Sequence, residues 1–182
     1  MAHEFTTSYL KDSTDILRFY KKLAERAMAQ APDGGLFATP DGESNSIGIV
    51  VKHLAGNLRS RWTDFLESDG EKPSRNRDAE FESPAQTRAE LMSDWESGWK
   101  CVFDTLAALK EEDMGRTVHI RGEAHSVMQA MQRMVAHTCY HVGQIVYLAK
   151  HYAGEDWKAV SIPRGKSGEF NSRVVSGKVS QR

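Results

Sequence analysis

The sequence predicts an all-α protein built as a four-helix bundle, and three observations carry that reading. Four stretches of roughly 20–25 residues repeat apolar residues at threes and fours, the period of an amphipathic helix. Two of them open with residues that cap a helix N-terminus. The chain of 182 residues is long enough for one sizeable core, and four apolar stripes bury best against one another. A three-helix core whose first helix serves dimerisation is the alternative arrangement.

The first helix is expected from about Thr6 to Gln30, where Tyr9, Leu10, Ile16, Leu17, Tyr20, Leu23, Ala27 and Met28 form the stripe. The run APDGG at 31–35 stops it. The second is expected from near Ser46 to about Glu67, on Ile47, Val51, Leu54, Leu58, Trp62 and Phe65. A polar loop follows over 68–86, longer than a simple bundle turn needs, and such loops often carry function.

The third helix opens with the capping box Thr87-x-x-Glu90 and buries Leu91, Trp95, Trp99, Val102, Phe103 and Leu106. Two short alternating segments around Arg121-Gly122 predict a small β-hairpin before the last helix. The fourth helix opens at Ser126-x-x-Gln129 and runs to about Tyr152. The tail, 154–182, has six basic and three acidic residues and contains Trp157, Ile162, Phe170 and Val174. It reads as a partly ordered segment packed on the bundle, so the whole chain, 1–182, is expected to form one domain.

The bulk numbers exclude several functions. Lys plus Arg is 24 and Asp plus Glu is 25, a net charge of −1 that offers no electrostatic footprint for nucleic acid or a membrane surface. The longest clean apolar run, Ile47–Val51, is far too short to span a bilayer. The first residues, MAHEFTTSYLKDSTD, contain no apolar segment of a secretory signal. The two cysteines, Cys101 and Cys139, form no CxxC pair. A cytoplasmic protein with reduced thiols is the expectation.

The chemistry centres on HTCYH at 137–141. A step of four residues turns a helix about 40° past one full turn, so His137 and His141 share a face. On the wheel His141 falls within the apolar stripe of Val127, Met134, Val142 and Ile145, and His137 falls at its edge. A charged imidazole is costly there, so both are expected neutral, hydrogen-bonded or metal-bound. Two core histidines bonded to backbone or tyrosine would be the plain reading of that pair alone.

His53, on the second helix, changes the balance. It flanks the Val51–Leu54–Leu58 stripe beside Val50, Asn57 and Arg61. All three histidines therefore lie where an apolar core gives way to a polar flank. Alone His53 would read as a surface residue. Two imidazoles from one helix and one from a neighbour make a sound metal site, and three protein ligands leave a position open for water or substrate. Imidazole suits zinc, nickel, iron or copper.

A ligating imidazole usually donates its second N–H to an acceptor. Asn57, four after His53, and Gln144, three after His141, are the candidates for that role. Asp78, Glu80, His119, Glu123 and His125 are the available acid–base groups, and each reads as a solvated residue of the loop or hairpin. Cys139 points away from both histidines and reads as a buried, inert thiol.

Three other chemistries are unsupported. The glutamate of HExxH is missing between the histidines, which argues against a zinc protease of that type. The Gly-Lys-Ser at 165–167 lacks the glycine of a phosphate-binding loop, since position 160 is Val160. No GxSxG nucleophile elbow is present. Arg59 and Arg61 near Asp64 read as a helical charge pair.

Three blocks, SNSIGIVVKHLAGNLRSRWTDFLESDGEKPSRNRDAEF (44–81), HTCYHVGQIVYLAKH (137–151) and SIPRGKSGEFN (161–171), resemble an uncharacterised bacterial branch of the DinB/YfiT-like metal-dependent hydrolase superfamily. The resemblance covers nearly the whole chain. It implies an up-down-down-up-like bundle, a homodimer, and a divalent metal, zinc or nickel foremost, on His53, His137 and His141. It also implies a hydrolase, or a transferase that uses a low-molecular-weight thiol. In either case the open site would activate a water or a thiol on a small-molecule substrate. A non-catalytic dimeric bundle, binding a small ligand or acting in stress, is the competing expectation.

Overall fold

The computed structural model describes residues 5–82 and 87–180. Among them are six α-helices and a two-stranded antiparallel sheet. Four helices are long: α1 (Tyr9–Met28), α3 (Ile47–Trp62), α4 (Arg88–Ala108) and α5 (Val127–Ala153). α2 (Asp33–Phe37) and α6 (Ser167–Val175) are short, and β1 (Thr117–Ile120) and β2 (Glu123–Ser126) form the hairpin. The predicted elements are thus present, with α2 added, starting within the stretch expected only to stop the first helix. The last four residues of the predicted 68–86 loop, 83–86, lie outside the described residues.

The long helices start where side chains satisfy the free N–H groups of their first turns. Ser8, Ser46, Thr87 and Ser126 accept from the backbone three residues on. At Thr87 and Ser126 the returning bond from Glu90 and Gln129 completes the capping box that the sequence predicts.

α3 lies chiefly against α4, and α1 against α5. α3 also meets α5, which sets the two histidine-bearing helices side by side. Trp62, Trp95, Trp99, Leu17, Leu54, Leu58, Met131 and Ile145 fill the shared core. At Gly98 a Cβ would stand 3.0 Å from the Ala55 Cα, so glycine there lets the α3 and α4 backbones approach closely.

α3 ends five residues earlier than the apolar stripe suggests. Thr63 is extended and Asp64 takes a left-handed backbone, φ 46°. Phe65 stays buried because its ring stacks on Trp62 at 4.5 Å. The expected Arg59–Asp64 pair does not form: Arg59 reaches across to Asp94 and Ser97 on α4.

The hairpin turns through Arg121 (φ 57°) and Gly122 (φ 78°), the double left-handed turn that suits the twist of two-residue hairpins. Asp69 holds this turn from the 68–82 loop. It accepts from the N–H of Arg121 at 2.8 Å and of Gly122 at 2.7 Å. Gly70 N–H donates to the His119 carbonyl at 2.8 Å. Loop and hairpin therefore form one wall beside α3 and α5.

The tail packs only in part. Val160 is buried and Trp157 lies against the core, but α6 buries none of its residues and Ile162 and Val175 are exposed. Its apolar residues are too sparse to give a short helix a stripe worth burying. Among the described residues no helix is long and apolar enough to cross a membrane.

Candidate metal centre

α3 presents His53 and α5 presents His137 and His141 to one point. His53 Nε2 lies 3.3 Å from His137 Nε2, and His141 Nε2 lies 3.1 Å from the same atom. One ring nitrogen of each histidine falls within 4.8 Å of the others, so the group could hold a metal ion. His53 and His141 are buried and His137 is half-buried, as expected for residues at the margin of a core.

The spacing suits a cation. Nitrogens bound at about 2.0–2.1 Å in a tetrahedron stand roughly 3.3 Å apart. Burial and the close packing of the imidazoles disfavour protonation of His137 and His141. Burial, then the neighbouring His141 and His53, pushes the His137 pKa down to about 3. Burial is also the main cause that lowers His141, against a Gln144 bond that raises it.

The outward nitrogens are held. His141 Nδ1 lies 2.8 Å from Gln144 Oε1, the partner expected from the sequence. His53 Nδ1 lies 2.9 Å from Glu80 Oε2 rather than meeting Asn57, which instead lines the adjoining cavity. With the Nδ1 protons engaged outward, the Nε2 lone pairs of His53 and His141 point inward, as ligation needs.

Glu80 corrects the expectation of a solvated loop residue. It is 6 % exposed. A turn of 3₁₀ helix at Asp78–Phe81 carries it over α3, capped by the Asn76 side chain on Ala79 N–H and tied by Lys52 to the Ala79 carbonyl. Gly56, three residues after His53, leaves the space: a Cβ there would collide with the Glu80 carboxylate. Phe81 covers the outer face of the His53 ring at 4.7 Å.

Arg75 completes the support by two parallel bonds to Glu80, Nε to Oε1 and Nη2 to Oε2, each 2.8 Å. Burial raises the Glu80 pKa, but the bonds from His53 and Arg75 and their charges outweigh it and hold the carboxyl below its usual range. Neither Glu80 nor Arg75 has a periodic signal, because both lie in the loop. Gly56 is the one available hint, since a mid-helix glycine costs about 1 kcal/mol and marks a close approach.

Beside the histidines lies a cavity of about 390 Å³, lined by His53 and His137, by Trp62, Phe65 and Met134, and by side chains of the loop and hairpin. His119 of β1 also lines it. Asp78 and Glu123 are exposed, as the sequence suggests, and His125 is half-buried. Cys139 is half-buried rather than buried, and burial raises its thiol pKa, which keeps it a poor nucleophile.

No curated protein and no solved structure matches the chain. The sequence model of one family, described as "Protein of unknown function (DUF1572)", matches residues 4–166. That match spans both histidine-bearing helices, the loop that carries Glu80 and the hairpin, so the chain belongs to the DUF1572 family.

Proposed function

We propose that this protein is a metal-dependent enzyme of DinB-like kind, a four-helix bundle that binds a divalent ion, zinc or nickel, through His53, His137 and His141. The observation that carries the reading is the convergence of three Nε2 atoms at 3.1 and 3.3 Å, with two of the rings fixed from behind by Glu80 and Gln144. Three neutral nitrogens leave part of a divalent ion's coordination open. When bound, the ion supplies Lewis acidity that makes a water or low-molecular-weight thiol nucleophilic near neutral pH. The reaction class is hydrolysis or thiol S-transfer, in the cytoplasm, and a homodimer is the proposed assembly.

The chain's own groups orient and insulate. Glu80 keeps a proton on His53 Nδ1, Gln144 does so on His141, and Arg75 keeps Glu80 ionised. Trp62, Phe65 and Met134 give the cavity an apolar floor that limits water. His119 of β1 is the candidate for proton transfer on that wall. Asn57 is placed to touch a ligand rather than a ring.

Metal analysis of wild type, His53→Ala and His137→Ala tests the reading. Near-stoichiometric metal in wild type and little in either variant is the expected result, and equal content in all three would sink it. A second reading, a non-catalytic ligand-binding bundle, draws on the absence of any carboxylate from the cavity lining among the described residues. Turnover of an activated electrophile that vanishes in His141→Ala would reject it.

A further inference from the structure

The cavity beside the histidines has a cationic lining. Arg61, Arg75, Arg77, Arg121 and Arg133 all line it, and no carboxylate does among the described residues. The carboxylates behind the wall do not balance these five guanidinium groups. A single Glu71 oxygen, Oε2, faces three of them: Arg61 Nη2 at 2.9 Å, Arg121 Nε at 3.0 Å and Arg75 Nη1 at 3.6 Å. Glu80 serves Arg75 but is committed to His53 as well. Arg77 stands over Phe81 and 3.9 Å from the exposed Asp78, and Arg133 forms no ion pair among the described residues.

Unpaired donors give a second, independent sign. Arg75 Nη1 is buried with no acceptor, since 3.6 Å to Glu71 is too long for a hydrogen bond, and the Arg75 side chain is 4 % exposed. Trp62 Nε1, on the same cavity, is also buried and unpartnered. Buried polar atoms without a partner are rare in folded proteins; of the four among the described residues these two belong to residues of the one cavity, while Trp99 Nε1 and Tyr152 Oη lie elsewhere. A wall of donors and positive charge, with no carboxylate of its own among the described residues, is complementary to an oxyanion.

We propose that this cavity takes a small organic anion, a molecule bearing a carboxylate or phosphate group, with that group on the arginine wall and its reactive end toward the histidines. The inference deepens the metal-enzyme reading by naming its substrate class, and rests on it for the word substrate. The half-buried Arg61 and Arg75 form the base of the wall, held by Glu71 and Glu80. Arg77, Arg121 and Arg133 are exposed, Arg121 sharing Glu71 with Arg61, and the Asp69 clamp on the Arg121 backbone fixes the turn that carries it. The volume, about 390 Å³, falls in the range of small-molecule sites.

Calorimetric titration of the metal-stripped full chain at pH 8 and low salt tests this, with inorganic phosphate, succinate and neutral succinamide as probes. Saturable binding of phosphate or of succinate, none of succinamide, and weakening by added sodium chloride are expected. Phosphate alone would assign a phosphorylated substrate, and succinate alone a carboxylic acid. Arg121→Gln/Arg133→Gln, at exposed positions, should bind at least about tenfold more weakly. Failure of both anions to bind, or equal binding by wild type and the double variant, overturns the inference. Metal analysis of the wild type beside this titration keeps the two readings apart: a wild-type chain that binds the anions but no metal fails the metal centre alone, and one that binds metal but neither anion fails this inference alone.

Discussion

Glu80 Oε2 lies 2.9 Å from His53 Nδ1, although 27 residues separate them. The contact joins a loop to a helix and fixes the ring from behind. It exists because Gly56 lacks the Cβ that would fill the place of the Glu80 carboxylate.

Gly56→Ala tests the space. Alanine should stabilise a plain helix by about 1 kcal/mol. Here it should expel Glu80, lower the melting temperature, and weaken metal binding about 10–100-fold, the usual effect of losing an outer hydrogen-bond partner. A raised melting temperature with unchanged metal affinity would show that Glu80 does not depend on this gap.

Glu80→Ala and Glu80→Gln separate charge from shape. Both remove the ionised partner of His53. The alanine variant also strips Arg75 of its two close bonds, leaving a guanidinium buried with only Glu71 at 3.6 Å. A destabilisation of about 3 kcal/mol or more is expected for alanine, and less for glutamine, by chemical denaturation. Equal and small losses would mean that the pair contributes little.

Chelation is expected to lower the melting temperature of the wild-type protein, since an ion bound only to the folded state stabilises it by about 2.7 kcal/mol at a hundredfold excess over Kd. His53→Ala should show no such shift. A chelator that leaves the wild-type melting curve unmoved would remove the metal centre.

Acid should destabilise the metal-free chain in two stages. His137 titrates near pH 3 when folded and near 6.5 when unfolded. Between those values the unfolded state alone holds the proton, so stability falls as pH drops through that window. His137→Gln should flatten this limb. Asp69 follows lower down. Backbone N–H bonds from Glu71 and Gly122, then Arg121, hold its pKa at about 2, so its contribution is present above pH 3.8 and lost toward pH 2. Asp69→Asn should shrink the second stage, to which Glu71 and Glu80 also contribute, and leave the first in place.

Asp69→Ala should also loosen the hairpin at neutral pH. The Arg121 and Gly122 N–H groups lose their acceptor, so amide exchange across β1 and β2 should quicken while that of α4 stays slow. Unchanged protection of the hairpin would mean that the turn is held by its own geometry.

Much of the fold was legible because it is local. The stripes of α1, α3, α4 and α5, the Thr87 and Ser126 capping boxes and the Arg121-Gly122 turn are all written within a few residues of where they act. The grouping of His53 with His137 and His141 was legible for the same reason, since helical phase places each imidazole at a core margin. The end of α3 was not, because Phe65 continues the apolar period while its ring is held by Trp62 off the helix. The tail was misjudged in part, since Trp157 and Val160 pack but α6 does not.

By itself the sequence determined an all-α chain with a hairpin, the three imidazoles on one side of their helices, and Gln144 behind His141. The tertiary structure decided what meets those imidazoles and what faces them. Glu80 and Arg75 come from a loop without period, and nothing nearby in sequence says that the loop folds back over Gly56. The arginine wall is likewise assembled from α3, the loop, the hairpin and α5. Periodicity encodes the direction a side chain takes from its own helix. Which distant segment fills the space it faces depends on volume and charge matched across the folded chain, and only the packed structure contains that match.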